Sequence, residues 1–364
     1  MTTWSEFGWQ PIELPREPLD EATRAEKELP RTFLPLAGDD LRQQALFDPA
    51  LKHFRRGYRA GDPVFEDPER TAAWARARRA AMDSVLLAVS ESEWVDSLVL
   101  RGSVLLADWF GEEAREPGDL DFVVVPQTLA MESPFSARML DGIAEAADGR
   151  SGIDASGAVI EDIWTYDRVP GRRMVLPWSV PGLPAGQVQL DFVFNEKLAV
   201  APERVELACG ATVLAASPAL SLAWKLLWLV TDQNPQGKDL YDAVLLAERY
   251  ELPYELLIEV FRAAEAWPIT VDREPDLQDV VRGPRVDREW RHFAAEYPHL
   301  SGAGQSTDYT NRLFAAIYPT FRTRQSERVR QWLESVEGFE EFDAQYDEEY
   351  EEYEEEPRDQ SAEA

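Results

Sequence analysis

Two acidic residues open a stretch of chain that has to be buried. In "GDLDFVVV", Asp119 and Asp121 run directly into Phe122, Val123, Val124 and Val125. Residues i and i+2 of a strand project to the same side, so both carboxylates face one way. Carboxylates at the head of a buried strand are costly unless they are paired or bound to a metal. A Gly102-Ser103 pair closes the apolar run "SLVLRG", 16 residues before Asp119. A third acid, Asp191, lies in "GQVQLDFVFN", where Val188, Leu190, Phe192 and Phe194 alternate with Gln187, Gln189 and Asp191. That alternation predicts a half-buried strand whose second face meets something polar. The order strand, Gly-Ser, helix, Asp-x-Asp strand, Asp strand therefore predicts three carboxylates converging beside a tight turn.

The surrounding pattern predicts an α+β fold. Pro68 opens a helix that carries Trp74, Ala77, Ala81, Val85 and Ala88 near helical spacing. A short strand at Leu98–Leu100, a helix "SVLLADWFG" ended by Gly111, and a crossing helix "SARMLDGIAEAAD" follow. The segment "SGAVIEDIWTYDRVPGRRMVLPWSV" predicts a β-hairpin turning at Pro170-Gly171, with Arg172 and Arg173 at a solvated tip. From Ser217 the period becomes helical, with Ser217 as N-cap and Pro218 in the first turn. "KDLYDAVLLAERYE", "PYELLIEVFRAAEAW", "DREWRHFAAEY", "DYTNRLFAAIYPTF" and "RQSERVRQWLESVE" continue it. The predicted organisation is an N-terminal extension (1–67), a small mixed-sheet α/β module (68–200), a helical domain (201–337) and an acidic, disordered tail (338–364). The extension reads as loosely built, with short helical stretches such as "GDDLRQQALF".

Composition removes several function classes. No apolar stretch reaches the roughly 18–20 residues of a membrane span, and the first residues lack the basic and apolar regions of a secretory signal. Cys209 is the only cysteine, which excludes an internal disulfide and a cysteine zinc site and suits a cytoplasmic protein. Of the formal charge of −31, −12 falls in the tail. An acidic body argues against broad, non-specific nucleic-acid binding. One basic run stands out, Lys52, Arg55, Arg56 and Arg59 with Arg70, Arg76, Arg78 and Arg79. It predicts either internal pairing with acids or a surface for RNA phosphates or an acidic partner.

The acid trio carries the chemistry. Mg²⁺, or Mn²⁺, takes oxygen ligands from carboxylates, phosphates and water, so Asp119, Asp121 and Asp191 are the candidate metal ligands. Such a site suits transfer of a nucleotide from an NTP to a hydroxyl. Gly102 lets the backbone approach a phosphate, and Ser103 offers a hydroxyl and an amide at a helix start. Lys225 lies in the apolar helix "LAWKLLWLV", where its charge needs a partner, a cavity or a route to the surface. Asp239 and Asp242 stand one turn apart near a helix start, a placement that dipole compensation also explains.

"LVLRGSVLLADWFGEEAREPGDLDFVVV", "VQLDFVFN", "SPALSLAWKLLWL" and "GKDLYDAVLL" together resemble the AbiEii/AbiGii toxin nucleotidyltransferases, of the DNA-polymerase-β-like superfamily. The resemblance spans about residues 85–250. It implies a toxin of a toxin–antitoxin or phage-defence module that moves a nucleotide from an NTP onto RNA, in characterised cases the acceptor end of tRNA. An antitoxin protein is the implied partner. Residue by residue it places Gly102, Ser103, Arg115, Lys225 and Lys238 on the nucleotide, and Asp239 with Lys225 and the three metal-binding acids among the catalytic residues. Pro117 stands where the family commonly has Ser or Thr. Two other readings stay open: nucleotidyl transfer to a small molecule or protein, and a catalytically silent scaffold that keeps the fold.

Overall fold

The computed structural model describes residues 3–7, 13–165, 169–232, 235–264, 277, 286–302 and 304–322. The expected helix "RQSERVRQWLESVE" and the acidic tail lie outside them. The chain begins with helix α1 (Glu21–Glu26) and four short strands, β1 (Leu41–Arg42), β2 (Ala45–Phe47), β3 (Tyr58–Ala60) and β4 (Val64–Phe65). These pair as β1–β4 and β2–β3. The segment "GDDLRQQALF", expected to be partly helical, therefore supplies two strands. Its apolar residues are anchored in strand pairs and not along a helix face: Leu41 and Ala45 are buried, Ala45 in a small separate core with Trp4, Phe7, Leu14, Leu29, Phe33 and Tyr58.

Helix α2 (Pro68–Glu91) starts where Asp67 accepts from the Glu69 amide and Pro68 occupies the first turn. Its face of Trp74, Ala81, Val85 and Ala88 is buried as the spacing predicted. There follow β5 (Leu98–Arg101), α3 (Ser103–Phe110), β6 (Leu120–Val124), α4 (Pro134–Ala147), β7 (Val159–Thr165), β8 (Val169–Trp178), β9 (Gly186–Val193), β10 (Glu203–Glu206) and β11 (Thr212–Ala215). Seven strands form one mixed sheet in the order β10-β11-β5-β6-β9-β8-β7. The pairs β11–β5 and β6–β9 are parallel and the other four antiparallel. The sheet thus runs on to Ala215, into the stretch 201–337 assigned to the helical domain, whose helical period was read only from Ser217.

The hairpin β7–β8 is present, but its turn is not at Pro170-Gly171. Both lie inside β8, opposite Trp164 and Ile163, and the strands meet at Thr165 and Val169. One strand residue further along, Arg172 and Arg173 are strand residues too, which changes what they can reach.

The helical part comprises α5 (Pro218–Thr231), α6 (Gly237–Arg249), α7 (Tyr254–Ala263), α8 (Asp287–Glu296), α9 (Pro298–Ser301) and α10 (Ser306–Arg322). Ser217 caps α5 by accepting from the Leu220 amide at 3.3 Å. Leu220 through Leu229 are all buried, so α5 is apolar around its circumference because it is enclosed on every side. One continuous core joins α2, α4, the large sheet and the helices from α5 onward. The fold is α+β. Among the described residues no helix is long and apolar enough to cross a membrane.

Candidate active site

Strand register places the acids. Cross-strand partners share a face of the sheet. Arg101 of β5 stands opposite Asp121 of β6, Asp121 opposite Asp191 of β9, Asp191 opposite Arg173 of β8, and Arg173 opposite Glu161 of β7. A single charged row therefore crosses five strands, basic at Arg101 and Arg173 and acidic between and beyond them. On the reverse face of β6 and β9 the neighbouring positions are apolar, with Phe122 and Phe192 stacked at 5.7 Å between ring centroids, while Arg172 of β8 and Asp162 of β7 continue that row as an ion pair. Asp119, two residues before Asp121, joins the row from the head of β6. The three acids each offer a carboxylate oxygen within 4.8 Å of the others.

The head of β6 is held from below by α2. Arg78 Nη2 donates to the carbonyls of Pro117 (2.9 Å) and Gly118 (2.7 Å), immediately before Asp119. Arg78 belongs to the basic run that the sequence left between two readings. Within that run Arg55, Arg70, Arg78 and Arg79 all pair with acids of the same chain.

Gly102 is dictated by close approach. Its φ of +83° and ψ of −153° lie in a region that is essentially glycine's own, and a Cβ there would meet Asp121 Oδ2 at 2.7 Å. Ser103, the first residue of α3, is buried, and its Oγ has no hydrogen-bond partner among the described residues. The hydroxyl is thus left available at a helix N-terminus, in the residue next to the glycine that abuts Asp121.

The electrostatics separate the acids. Burial, then the neighbouring Asp119 and Asp191, push the Asp121 carboxyl up to about 7 despite Arg101. Burial also works against Asp119, but Lys238, Arg115, Arg59 and Arg173 together outweigh it and hold that carboxyl below its ordinary range. Asp191 is raised, burial prevailing over the Arg173 guanidinium. Among the described residues neither Asp119 nor Asp121 has an ion-pair partner. Asp191 has one: Arg173 Nε donates to Oδ1 at 2.8 Å and Nη2 to Oδ2 at 2.7 Å. The donor set is three hard carboxylate oxygens, and burial together with the acidic neighbours raises one of them, Asp121, to about 7. A divalent cation of the Mg²⁺ or Mn²⁺ type fits that set, since its charge offsets the repulsion.

A second buried charge network lies beside the first. Lys225 Nζ donates to Asp239 Oδ1 at 2.7 Å and sits 2.9 Å from Asp242 Oδ2. Arg115 donates to Asp242 through Nε and Nη2 at 3.2–3.3 Å. Asp242 is fully buried, and although burial opposes its charge, Arg115 and Lys225 keep its carboxyl below the usual range. Lys225 and Arg115, expected on nucleotide phosphates, are thus both engaged by carboxylates. Lys238, at the start of α6, is half-buried and lies within electrostatic reach of Asp119 and Asp121. Arg101, unmarked in the sequence, pairs with Glu196 at 2.7 Å and stacks over Trp224 and Trp228 of α5 at 5.3 and 5.5 Å.

Sequence reasoning missed Arg101, Arg173 and Asp48. Arg173 was expected at a solvated tip; it is 2% exposed and clamps Asp191. Its signal was an arginine in register with the strand acid, legible only once β8 and β9 are paired. Asp48, whose Oδ2 accepts from Arg173 Nη1 at 2.6 Å, carries no local signal at all.

Three convergent carboxylates on a mixed sheet, beside a Gly-Ser turn and a helix start, suit nucleotidyl transfer. The family described as "Nucleotidyl transferase AbiEii toxin, Type IV TA system" matches residues 84–355, and the chain belongs to it. Membership makes the protein a nucleotidyltransferase of a type IV toxin–antitoxin family, and implies a nucleotide substrate and an antitoxin partner. No curated protein matches the chain in sequence. The crystal structure of JHP933 from Helicobacter pylori is similar at 14% identity and a TM-score of 0.41, over 72% of this chain and 98% of that one.

Proposed function

We propose that the protein transfers a nucleotide from an NTP to an acceptor hydroxyl on RNA, tRNA being the leading candidate, and acts as the toxin of its module. The convergence of Asp119, Asp121 and Asp191 on one face beside Gly102-Ser103 carries this reading. These three residues would hold Mg²⁺ or Mn²⁺, which when bound neutralises triphosphate charge and acidifies an acceptor hydroxyl.

The chain's own groups do the positioning. Gly102 leaves room for backbone and phosphate to meet, and the amides at the start of α3 with Ser103 Oγ receive phosphate oxygens. Lys238 and Arg59 set positive charge against Asp119, where the anionic substrate must also come. Lys225, locked to Asp239 and Asp242, orients those acids and ties α5 to α6. Arg115 joins that tie to the loop that leads into Asp119.

The test is incubation with labelled NTPs, Mg²⁺ and total tRNA, alongside a panel of small hydroxyl acceptors. Label is expected on RNA, and Asp119→Ala with Asp121→Ala is expected to abolish it. Label on small molecules alone refutes the RNA acceptor. No label from folded, cation-loaded protein on any acceptor refutes transfer altogether.

A further inference from the structure

The stretch of chain that matches the family begins after α2 has started, yet one side chain at the heart of the acid row comes from well before it. Asp48 follows β2 and caps a short turn, Pro49–Leu51, with Oδ1 accepting from the Ala50 amide at 3.0 Å. Its own amide donates to the Gly57 carbonyl at 2.9 Å, which fixes the backbone. Its other oxygen takes Nη1 of Arg173. Arg173 is thereby divided: one arm on Asp48, and the Nε and Nη2 edge on both oxygens of Asp191. A guanidinium is a rigid planar fork with one positive charge, so a second carboxylate on it changes both its orientation and its claim on the first. Arg59, from β3, lies within electrostatic reach of both Asp48 and Asp119. The edge of the sheet is tied down by the same segment, since Glu161 accepts from the Arg31 amide and from the amide and hydroxyl of Thr32.

We propose that Asp48 is a positioning residue for the acid trio: by holding one arm of Arg173 it sets how firmly that guanidinium grips Asp191, and so how much carboxylate charge a divalent cation meets. The inference rests on the reading of the trio as a cation site. With Asp48 neutralised, the full charge of Arg173 falls on Asp191. One buried N–H then also loses an anionic acceptor. Both effects weaken the cation, without any change to the three ligands themselves.

The experiment measures Mn²⁺ binding to the full chain without nucleotide, by the loss of the free-ion paramagnetic resonance signal, together with the melting temperature of the cation-free protein. Asp48→Asn is expected to raise the Mn²⁺ dissociation constant by about tenfold or more, the range seen when partners behind a metal ligand are altered. Asp40→Asn removes an equal charge from the same segment, where Asp40 pairs with Arg70 away from the site. It is expected to leave Mn²⁺ affinity unchanged. Asp48→Glu keeps the charge, is expected to bind Mn²⁺ as the wild type does, and carries the test if the asparagine variant does not fold. Wild-type affinity in Asp48→Asn, equal loss in Asp40→Asn, or loss in Asp48→Glu overturns the proposal while leaving the cation site standing. Absence of Mn²⁺ binding by the wild type instead overturns the cation site, and this inference with it.

Discussion

Gly102→Ala separates backbone strain from ligand displacement. An alanine Cβ at this position stands 2.7 Å from Asp121 Oδ2, whereas ordinary contact begins at 3.4 Å. The oxygen must therefore retreat by about 0.7 Å, several times the ~0.2 Å tolerance of a metal–ligand distance. The carboxylate end is flexible, so the retreat costs little stability but takes Asp121 off its position. The backbone, at φ +83° and ψ −153°, adds a strain of about 1–3 kcal/mol. For a chain of this size, at an unfolding entropy of about 2.1 cal/mol/K per residue, that lowers the melting temperature by roughly 1–4 °C. Gly111→Ala is the control: its φ of +57° makes alanine strained there too, but nothing lies within 4 Å of the added Cβ. Calorimetric Mn²⁺ titration and thermal melting of both variants give the answer. Both should melt earlier, and only Gly102→Ala should lose Mn²⁺ affinity, by about tenfold or more. Wild-type affinity in Gly102→Ala would refute the argument that glycine is required for the carboxylate's sake.

The other expectations concern charge. Asp242→Ala strands Arg115 in the interior, leaving Lys225 with Asp239 alone, and should cost about 3–5 kcal/mol in urea denaturation, against at most about 1 kcal/mol for Glu248→Ala at the exposed pair with Arg312. Equal costs would mean that the buried network is not buried in solution. For pH, Asp121 keeps its proton in the folded, cation-free protein up to about 7, against an ordinary value of 3.8. The folded state thus binds more protons than the unfolded chain in that window, so this group's contribution to stability falls as pH rises from about 4 to 7. Saturating Mn²⁺ should remove that decline, and melting curves that run parallel with Mn²⁺ and with EDTA across this range would contradict it.

The sequence carried the elements of the site better than their partnerships. Asp119, Asp121 and Asp191 were legible because period-2 alternation and an apolar run fix which face each acid takes. Gly102-Ser103 was legible only through its place between the first strand and the Asp-x-Asp strand, since such a pair alone is more often a plain strand-to-helix turn. Strand pairing was not, because it depends on residues far apart in the chain. Arg173 looked like a turn residue beside Pro170-Gly171 until β8 was seen to run through both and pair with β9. Lys225 was recognisable as a charge in an apolar helix, but its sharing between Asp239 and Asp242 depends on how α5 meets α6. In the N-terminal part, "GDDLRQQALF" has helix-forming residues with an apolar spacing that suits neither period well, and tertiary pairing decided for strands.

The distribution of bases around the acids lowers the electrostatic cost of bringing three carboxylates together. In a chain of charge −31, the neighbourhood of the trio gathers Arg59, Arg101, Arg115, Arg173 and Lys238. Without them, three converging carboxylates would have to be neutralised by protons, at the expense of stability near neutral pH. The compensation is uneven. Asp191 is gripped on both oxygens by Arg173, while Asp119 and Asp121 meet positive charge only across space. The uncompensated negative charge is therefore concentrated on the Asp-x-Asp pair, next to the orphaned Ser103 hydroxyl. Asp191 joins through a carboxylate whose strength is set from the side, by an arginine that answers to the N-terminal segment. That arrangement places the adjustable element of the site outside the strands that form it.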